Sequence, residues 1–242
     1  MKNVIRIYGD SISNPRYIDD IPAEDIWSEL LKDLLEEKFQ HKFCLFNKAR
    51  GGMTIDKQKE VLDNDFGYFK GNSGIVIIHI GIVDCSPRPI SKNMRRVVSI
   101  LPEPIKQKVI LFLHDHRSAM QRFMIHRFTT PKKFKKIYNK MLEKLTENSV
   151  FCIGIGPVSQ RMIDRSFGLD GSIAMYNEII KECVSKHDNC YYVDTEKHFR
   201  ERMSGDNTSE DDIFLKDGHH YTKLGHKYFS SIMFKEICEI SG

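Results

Sequence analysis

Three polar residues of this chain stand where they could act together on a carbonyl group. Ser11 lies in the run Gly9-Asp10-Ser11-Ile12-Ser13, directly after an apolar stretch. A serine on such a turn can present its hydroxyl and its own backbone N–H to the same space, and the glycine permits the tight reversal. Near the other end, Asp217 precedes His220 by three residues in Leu215-Lys216-Asp217-Gly218-His219-His220-Tyr221-Thr222. A carboxylate at that spacing can bond one imidazole nitrogen and fix the tautomer. The other nitrogen is then left to take a proton from a serine hydroxyl. Between these ends, Gly51-Gly52 offers backbone N–H groups for close approach to a ligand, and Gly81-Ile82-Val83-Asp84-Cys85-Ser86-Pro87-Arg88 adds Asp84 and Arg88. Each piece alone has an ordinary reading, since Asp, Ser and Gly are common in turns and caps. In this order they supply a nucleophile, oxyanion donors, an orienting acid and a base.

The elements that would position these residues are legible from hydrophobic period. Strand-length apolar runs occur at Asn3–Tyr8, Phe43–Asn47, Ile75–Ile80, Lys108–Leu113, Val150–Ile155 and Cys190–Val193. Several are apolar at nearly every position, as befits parallel strands covered on both faces. Helical spacing runs through Pro22–Phe39, Pro131–Leu145, Ser172–Val184 and Lys223–Ile240. The alternation predicts an α/β fold, a three-layer α/β/α sandwich with a flavodoxin-like, doubly wound parallel sheet and right-handed crossovers. No repeat, linker or low-complexity tract divides the chain, so one domain is expected over residues 1–242. In such a sheet ligands bind beyond the carboxyl ends of the strands, where strand order reverses. Ser11, Gly52 and Asp84 each follow a predicted strand.

Composition narrows the function. Lys+Arg 37 against Asp+Glu 33 leaves a net charge of +4 over 242 residues, too mild a bias to favour a nucleic-acid partner. No apolar run approaches the roughly 18 residues of a membrane span, and the amino terminus lacks the apolar core of a secretory signal. The six cysteines form no Cys-x-x-Cys pair. They read as buried free thiols in a reducing, cytoplasmic setting.

With Gly9-Asp10-Ser11, Asn47, Gly52 and Asp217-x-x-His220 in view, the chain resembles the SGNH (GDSL) hydrolase family. Trp27 and Met175-Tyr176-Asn177 are similar to secondary features of that family. The resemblance implies Ser11 as nucleophile, Asp217 and His220 as its partners, and the N–H groups of Ser11 and Gly52 as the oxyanion hole. Gly225, five residues after His220, sets the register that selects His220 over His219. Asp10, Asn47, Asp84, Arg88 and His219 are expected among the substrate contacts. One block departs from the pattern: Gly81-Ile82-Val83-Asp84 stands where the family has Gly-x-Asn-Asp. The missing asparagine is an oxyanion donor, and losing one such donor costs roughly 10²–10³ in rate. Asn14, Asn47 and Arg88 are the side chains that could replace it.

The implied activity is a serine esterase cleaving an acyl ester, an acetyl group on a carbohydrate being the expected substrate. An O-acyltransferase acting on a surface-polysaccharide sugar would share the first half-reaction. A non-catalytic carbohydrate-binding module with a degenerate oxyanion hole is the third reading. No cofactor is implied. His114-Asp115-His116 could bring two imidazoles to one face of a strand end, but no further ligand has a matching spacing, so no metal is expected. Lys132-Lys133-Phe134-Lys135-Lys136 reads as the solvated face of a helix. Glu210-Asp211-Asp212 reads as a mobile loop, a lid over the site.

Overall fold

The alternating apolar runs build a five-stranded, fully parallel sheet in the order β2-β1-β3-β4-β5. Its strands are β1 (Val4–Gly9), β2 (Cys44–Asn47), β3 (Ile75–His79), β4 (Ser149–Ile153) and β5 (Cys190–Val193). The structure, a computed structural model, describes residues 3–69, 73–123 and 125–241. Every residue of β3 is buried, and β1 is buried from Ile5 onward. Each fully buried Ile or Val in these central strands contributes about 1.5–3 kcal/mol, which explains why the middle of the sheet reads as nearly continuous apolar sequence, interrupted by the buried Arg6 of β1 and the buried His79 that ends β3.

The principal flanking helices are α1 (Trp27–Phe39), α2 (Ile55–Phe69), α7 (Pro131–Leu142), α9 (Leu169–Val184) and α12 (Lys223–Ser241). Shorter ones are α3 (Ile82–Cys85), α4 (Lys92–Ser99), α5 (Glu103–Asp115), α6 (Arg117–Phe123), α8 (Gln160–Arg165), α10 (Thr195–Asp206) and α11 (Glu210–Ile213). α1 packs on α12, which also carries α10 and α11, while α7 packs on α2 and α9. Right-handed crossovers place these two groups on opposite faces of the sheet. α1 and α12 are further tied by a side-chain cap: the buried Trp27 N–H at the start of α1 donates to His226 Nδ1 at 3.2 Å. Burial lowers His226 to about 4, so that nitrogen is free to accept. Among the described residues, no helix is long and apolar enough to cross a membrane.

The expected architecture is the one observed, with three corrections. Lys108–Leu113 is not a strand but the middle of α5, no residue of which is buried. Pro104 sits in its first turn, Glu103 pairs with Lys106 and Gln107 one turn on, and Ile110, Leu111 and Phe112 stay exposed. A short apolar run has no period of its own to tell strand from helix, and here the local helix signals win. It follows that His114 lies on exposed helical surface and His116 in the exposed turn that ends α5, not on one face of a strand end. Glu210-Asp211-Asp212 is no loop. It forms α11, closed by a Ser209–Asp212 capping box and pinned by Gln160 N–H on Glu210 and Arg161 on Asp211 at 2.9 Å. Finally, Cys44 is exposed because β2 is an edge strand, while Cys85, Cys152, Cys183 and Cys190 are buried free thiols. The lysines of α7 behave as expected. Phe134, Ile137 and Tyr138 face the core, and Lys133 and Lys135 reach Asp56 and Glu182 at the surface.

Candidate active site

Strand order reverses between β1 and β3, and the chain leaving β1 turns there into a short 3-10 helix, Ser11–Ser13. Asp10 caps it, its carboxylate accepting the Ile12 N–H at 3.1 Å. Ser11 is therefore a first helical residue, whose N–H has no acceptor within its own helix. Its hydroxyl lies 2.8 Å from His220 Nε2, although 209 positions separate the two residues. His220 Nδ1 lies 2.6 Å from Asp217 Oδ2, and Asp217 Oδ1 also accepts the N–H groups of His220 and His219 at 3.0 and 3.1 Å. Burial acts to raise the Asp217 carboxyl. The bonds from the His220 ring and from these two N–H groups outweigh that and hold it well below the usual carboxylate range.

Sequence reasoning missed Arg16. Its Nη1 is 3.2 Å from His220 Nε2, its Nη2 is 3.6 Å from Asp217 Oδ2, and its Nε pairs with Asp19 at 2.7 Å. A guanidinium can only donate, so its approach to Nε2 requires an unprotonated nitrogen there. The ring proton then sits on Nδ1, facing Asp217, which is the tautomer that leaves Nε2 ready to accept the Ser11 proton. No motif marks Arg16, because its place depends on the loop that carries it round to the far end of the chain. The His219 ring lies tilted against that of His220, 3.9 Å between centroids. Burial, then the neighbouring His220, lowers it to about 4, so it is neutral at physiological pH.

Gly52 follows β2 at φ +68°, a left-handed conformation that suits glycine, and open space surrounds the place a Cβ would take. Among the described residues its N–H has no protein acceptor. The loop that carries it is held on both sides. Lys48 and Arg50 donate to β1 carbonyls, Ala49 N–H donates to Asn47 Oδ1 at 3.0 Å, and Asn47 Nδ2 donates to the Ser13 carbonyl at 2.7 Å. The Asn14 amide, oriented to satisfy both neighbours, donates to Ala49 O at 3.1 Å and accepts from Gly51 N–H at 3.2 Å. Ser11, Gly52, Val83, Asp217 and His219 line one cavity of about 710 Å³, joined by Arg88.

Three expected substrate contacts turn inward instead. Asp10 and Asn47 are occupied by the backbone bonds just described. Asp84 is fully buried, accepting the Ile55 N–H at 3.0 Å and the Thr129 hydroxyl. Thr129 is held in turn by the Tyr176 hydroxyl, and Asn177 brackets the Ile155 backbone with bonds of 2.7 and 3.1 Å. A carboxylate on a short helix beside the first N–H groups of α2 satisfies those donors more cheaply than water in a closed core could. Asp84 thus sets the start of α2, three residues after Gly52. Of the side chains weighed as replacements for the missing asparagine, Asn14 and Asn47 hold the loop, and Arg88 faces the cavity.

Burial raises Asp84 to about 7 against the opposing pull of the Thr129 and Ile55 donors. Asp10 is also raised to about 7, by burial first and with a contribution from Asp84. A folded-state value above the unfolded one means that the folded chain keeps a proton which the unfolded chain has released. The associated stability is fully present below about pH 4 and is lost as pH rises toward 7. Asp84→Asn removes one of these titrations. Its stability should fall less steeply between about pH 4 and 7 than that of wild type, by about 2–4 kcal/mol over the window. Urea unfolding across that range measures it, and identical slopes would refute the assignment.

The profile of the GDSL-like Lipase/Acylhydrolase family matches residues 7–228. The chain belongs to that family. Membership makes it an enzyme of the serine hydrolase type. Its fold is similar to that of a lipase/acylhydrolase from Enterococcus faecalis, at 15% identity and TM-score 0.65, covering 97% of this chain and 94% of that one. A catalytic mutant of Axe2, an acetylxylan esterase from Geobacillus stearothermophilus, aligns at 16% identity and TM-score 0.66, covering 98% of this chain and 96% of that one. The psychrotrophic esterase EstA from Pseudoalteromonas sp., solved with monoethylphosphonate as inhibitor, aligns at 15% identity and TM-score 0.55, covering 98% and 97%. No curated protein sequence matches the chain at a significant level. Gly225, which set the register of His220, has a packing role as well. A Cβ there would collide with the Ile213 carbonyl, so glycine lets α12 approach the end of α11 and seats the loop that bears His220.

Proposed function

We propose that this GDSL-family member is a serine esterase that releases an acetyl group from a carbohydrate through an acyl–Ser11 intermediate. The observation that carries the reading is the continuous contact from Ser11 Oγ through the His220 ring to Asp217, at 2.8 and 2.6 Å. As the Ser11 oxygen attacks the ester carbonyl, its proton passes to His220 Nε2, and the Asp217 carboxylate stabilises the imidazolium that results. Charge building on the carbonyl oxygen is met by the N–H groups of Ser11 and Gly52, which lie on held turns and need no rearrangement. The protonated His220 then gives its proton to the departing alcohol. Water, activated by the same nitrogen, releases acetate and frees Ser11.

With valine at position 83, two backbone donors carry the oxyanion, and Arg88 is the cavity-lining side chain nearest in role to the absent amide. The carbohydrate assignment draws on the acetylxylan esterase among the structural relatives and on the cavity of about 710 Å³ beside Ser11. The same acyl–Ser11 species could pass its acetyl group to a sugar hydroxyl in place of water.

Labelling with a fluorophosphonate followed by peptide mapping tests the reading, because the reagent attacks only an activated serine. The adduct is expected on the peptide containing Ser11 and on no other. Labelling at a different residue, or none at all, would overturn it. Mass spectrometry of an acetyl donor incubated with a sugar acceptor separates the two fates. Free acetate as the sole product marks hydrolysis, and acetylated acceptor marks transfer.

A further inference from the structure

The cavity beside Ser11 is far more basic than the chain as a whole. Lys57, Arg88, Arg95 and Arg165 line it, and a smaller continuation of about 300 Å³ beyond Gly52 adds Arg96. Among the described residues, only two carboxylates border the combined cleft, and both are engaged: Asp217 with His220, and Asp56 with Lys133 at 2.8 Å. Lys57, Arg95 and Arg165 have no carboxylate within ion-pair distance among the described residues. A net charge of +4 spread over 242 residues does not produce such a cluster by composition.

These cations also come from separate elements. Lys57 is on α2, Arg88 follows α3, Arg95 is on α4 and Arg165 ends α8. A solvated helix face would show charges at helical spacing on one element, whereas these converge from four. Arg88 and Arg95 place their guanidinium carbons 4.7 and 4.9 Å from the centroid of the same ring, Phe128. Contact with one aromatic ring holds both guanidinium groups at the cavity wall.

We propose that the ester taken by this site carries a negatively charged group, phosphate or carboxylate, remote from the scissile bond and bound by Arg95, Arg165 and Lys57. This rests on the esterase reading for the reacting end and adds the chemical class of the substrate. Guanidinium groups bind both anions through paired N–H donors.

The test uses three matched acetyl esters: neutral 4-acetoxybenzamide, 4-acetoxybenzoate and 4-acetoxyphenyl phosphate. Binding to the Ser11→Ala protein, in which turnover is slowed by about 10⁴-fold or more, is measured by calorimetry at low and high salt. At least one anion should bind about tenfold or more tightly than the amide at low salt, with the advantage shrinking as salt is raised. Which anion gains identifies the group. Arg95→Gln with Arg165→Gln, in the same background, should remove most of that preference. Equal affinities for all three esters, or no measurable binding of either anion, would overturn the proposal. Failure of the esterase reading looks different: wild type and Ser11→Ala would then hydrolyse the neutral ester at the same rate, whatever the affinities.

Discussion

Replacing Ser11 with alanine lowers kcat for p-nitrophenyl acetate by about 10⁴-fold or more and leaves the melting temperature close to that of wild type. The two halves of this expectation have separate physical grounds. In the proposed mechanism the hydroxyl is the attacking atom, and its hydrogen-bond contact is with His220 Nε2, so nothing else in the site can supply its electron pair. The turn that carries it is secured by other groups: the Asp10 cap, the Ser13 N–H bond to the Asp10 carbonyl, and the Asn14 N–H bond to the Ser11 carbonyl. Alanine keeps all of these. Residual turnover over buffer should remain from the Ser11 and Gly52 N–H groups. A variant that hydrolyses the ester within tenfold of wild type would remove Ser11 from the mechanism, and steady-state kinetics beside a thermal melt reads both quantities.

Asp217→Asn should cost nearly as much, about 10⁴-fold in kcat near neutral pH. The carboxylate accepts three donors at once, the His220 ring N–H and two backbone N–H groups. An amide has one accepting oxygen. If that oxygen serves the backbone, its NH₂ faces His220 Nδ1 and forces the ring proton onto Nε2, where it points at the Ser11 hydroxyl instead of receiving from it. If the oxygen serves the ring, the NH₂ opposes the two backbone donors and the turn opens. Either arrangement removes the base. A loss smaller than tenfold would show that Asp217 is not needed to set the tautomer. Nitrogen chemical shifts of the His220 ring would report the tautomer directly.

The site was legible in the sequence to the extent that its parts are local. Ser11 and the Asp217–His220 pair each sit on a short turn whose residue types declare it, and the choice of His220 over His219 agrees with the contact to Ser11. The central strands were equally plain, since burial on both faces leaves apolar residues at nearly every position, Arg6 and His79 being buried exceptions. Lys108–Leu113 was misread because a run of that length carries no period. The apolar character of α5 is not explained by burial, as its Ile110, Leu111 and Phe112 face outward.

Residue type pointed to the proposed chemistry, because a nucleophile, base and acid must be of particular kinds on turns of particular shape, and a strand–helix alternation can close in few ways. Tertiary structure settled what depends on meeting across the chain. It turned Asn47 and Asp84 inward to hold the loops, brought Arg16 onto His220, and gathered cations from four elements around Ser11. Such contacts join positions tens to hundreds of residues apart, and side-chain direction at each depends on packing that no local pattern encodes.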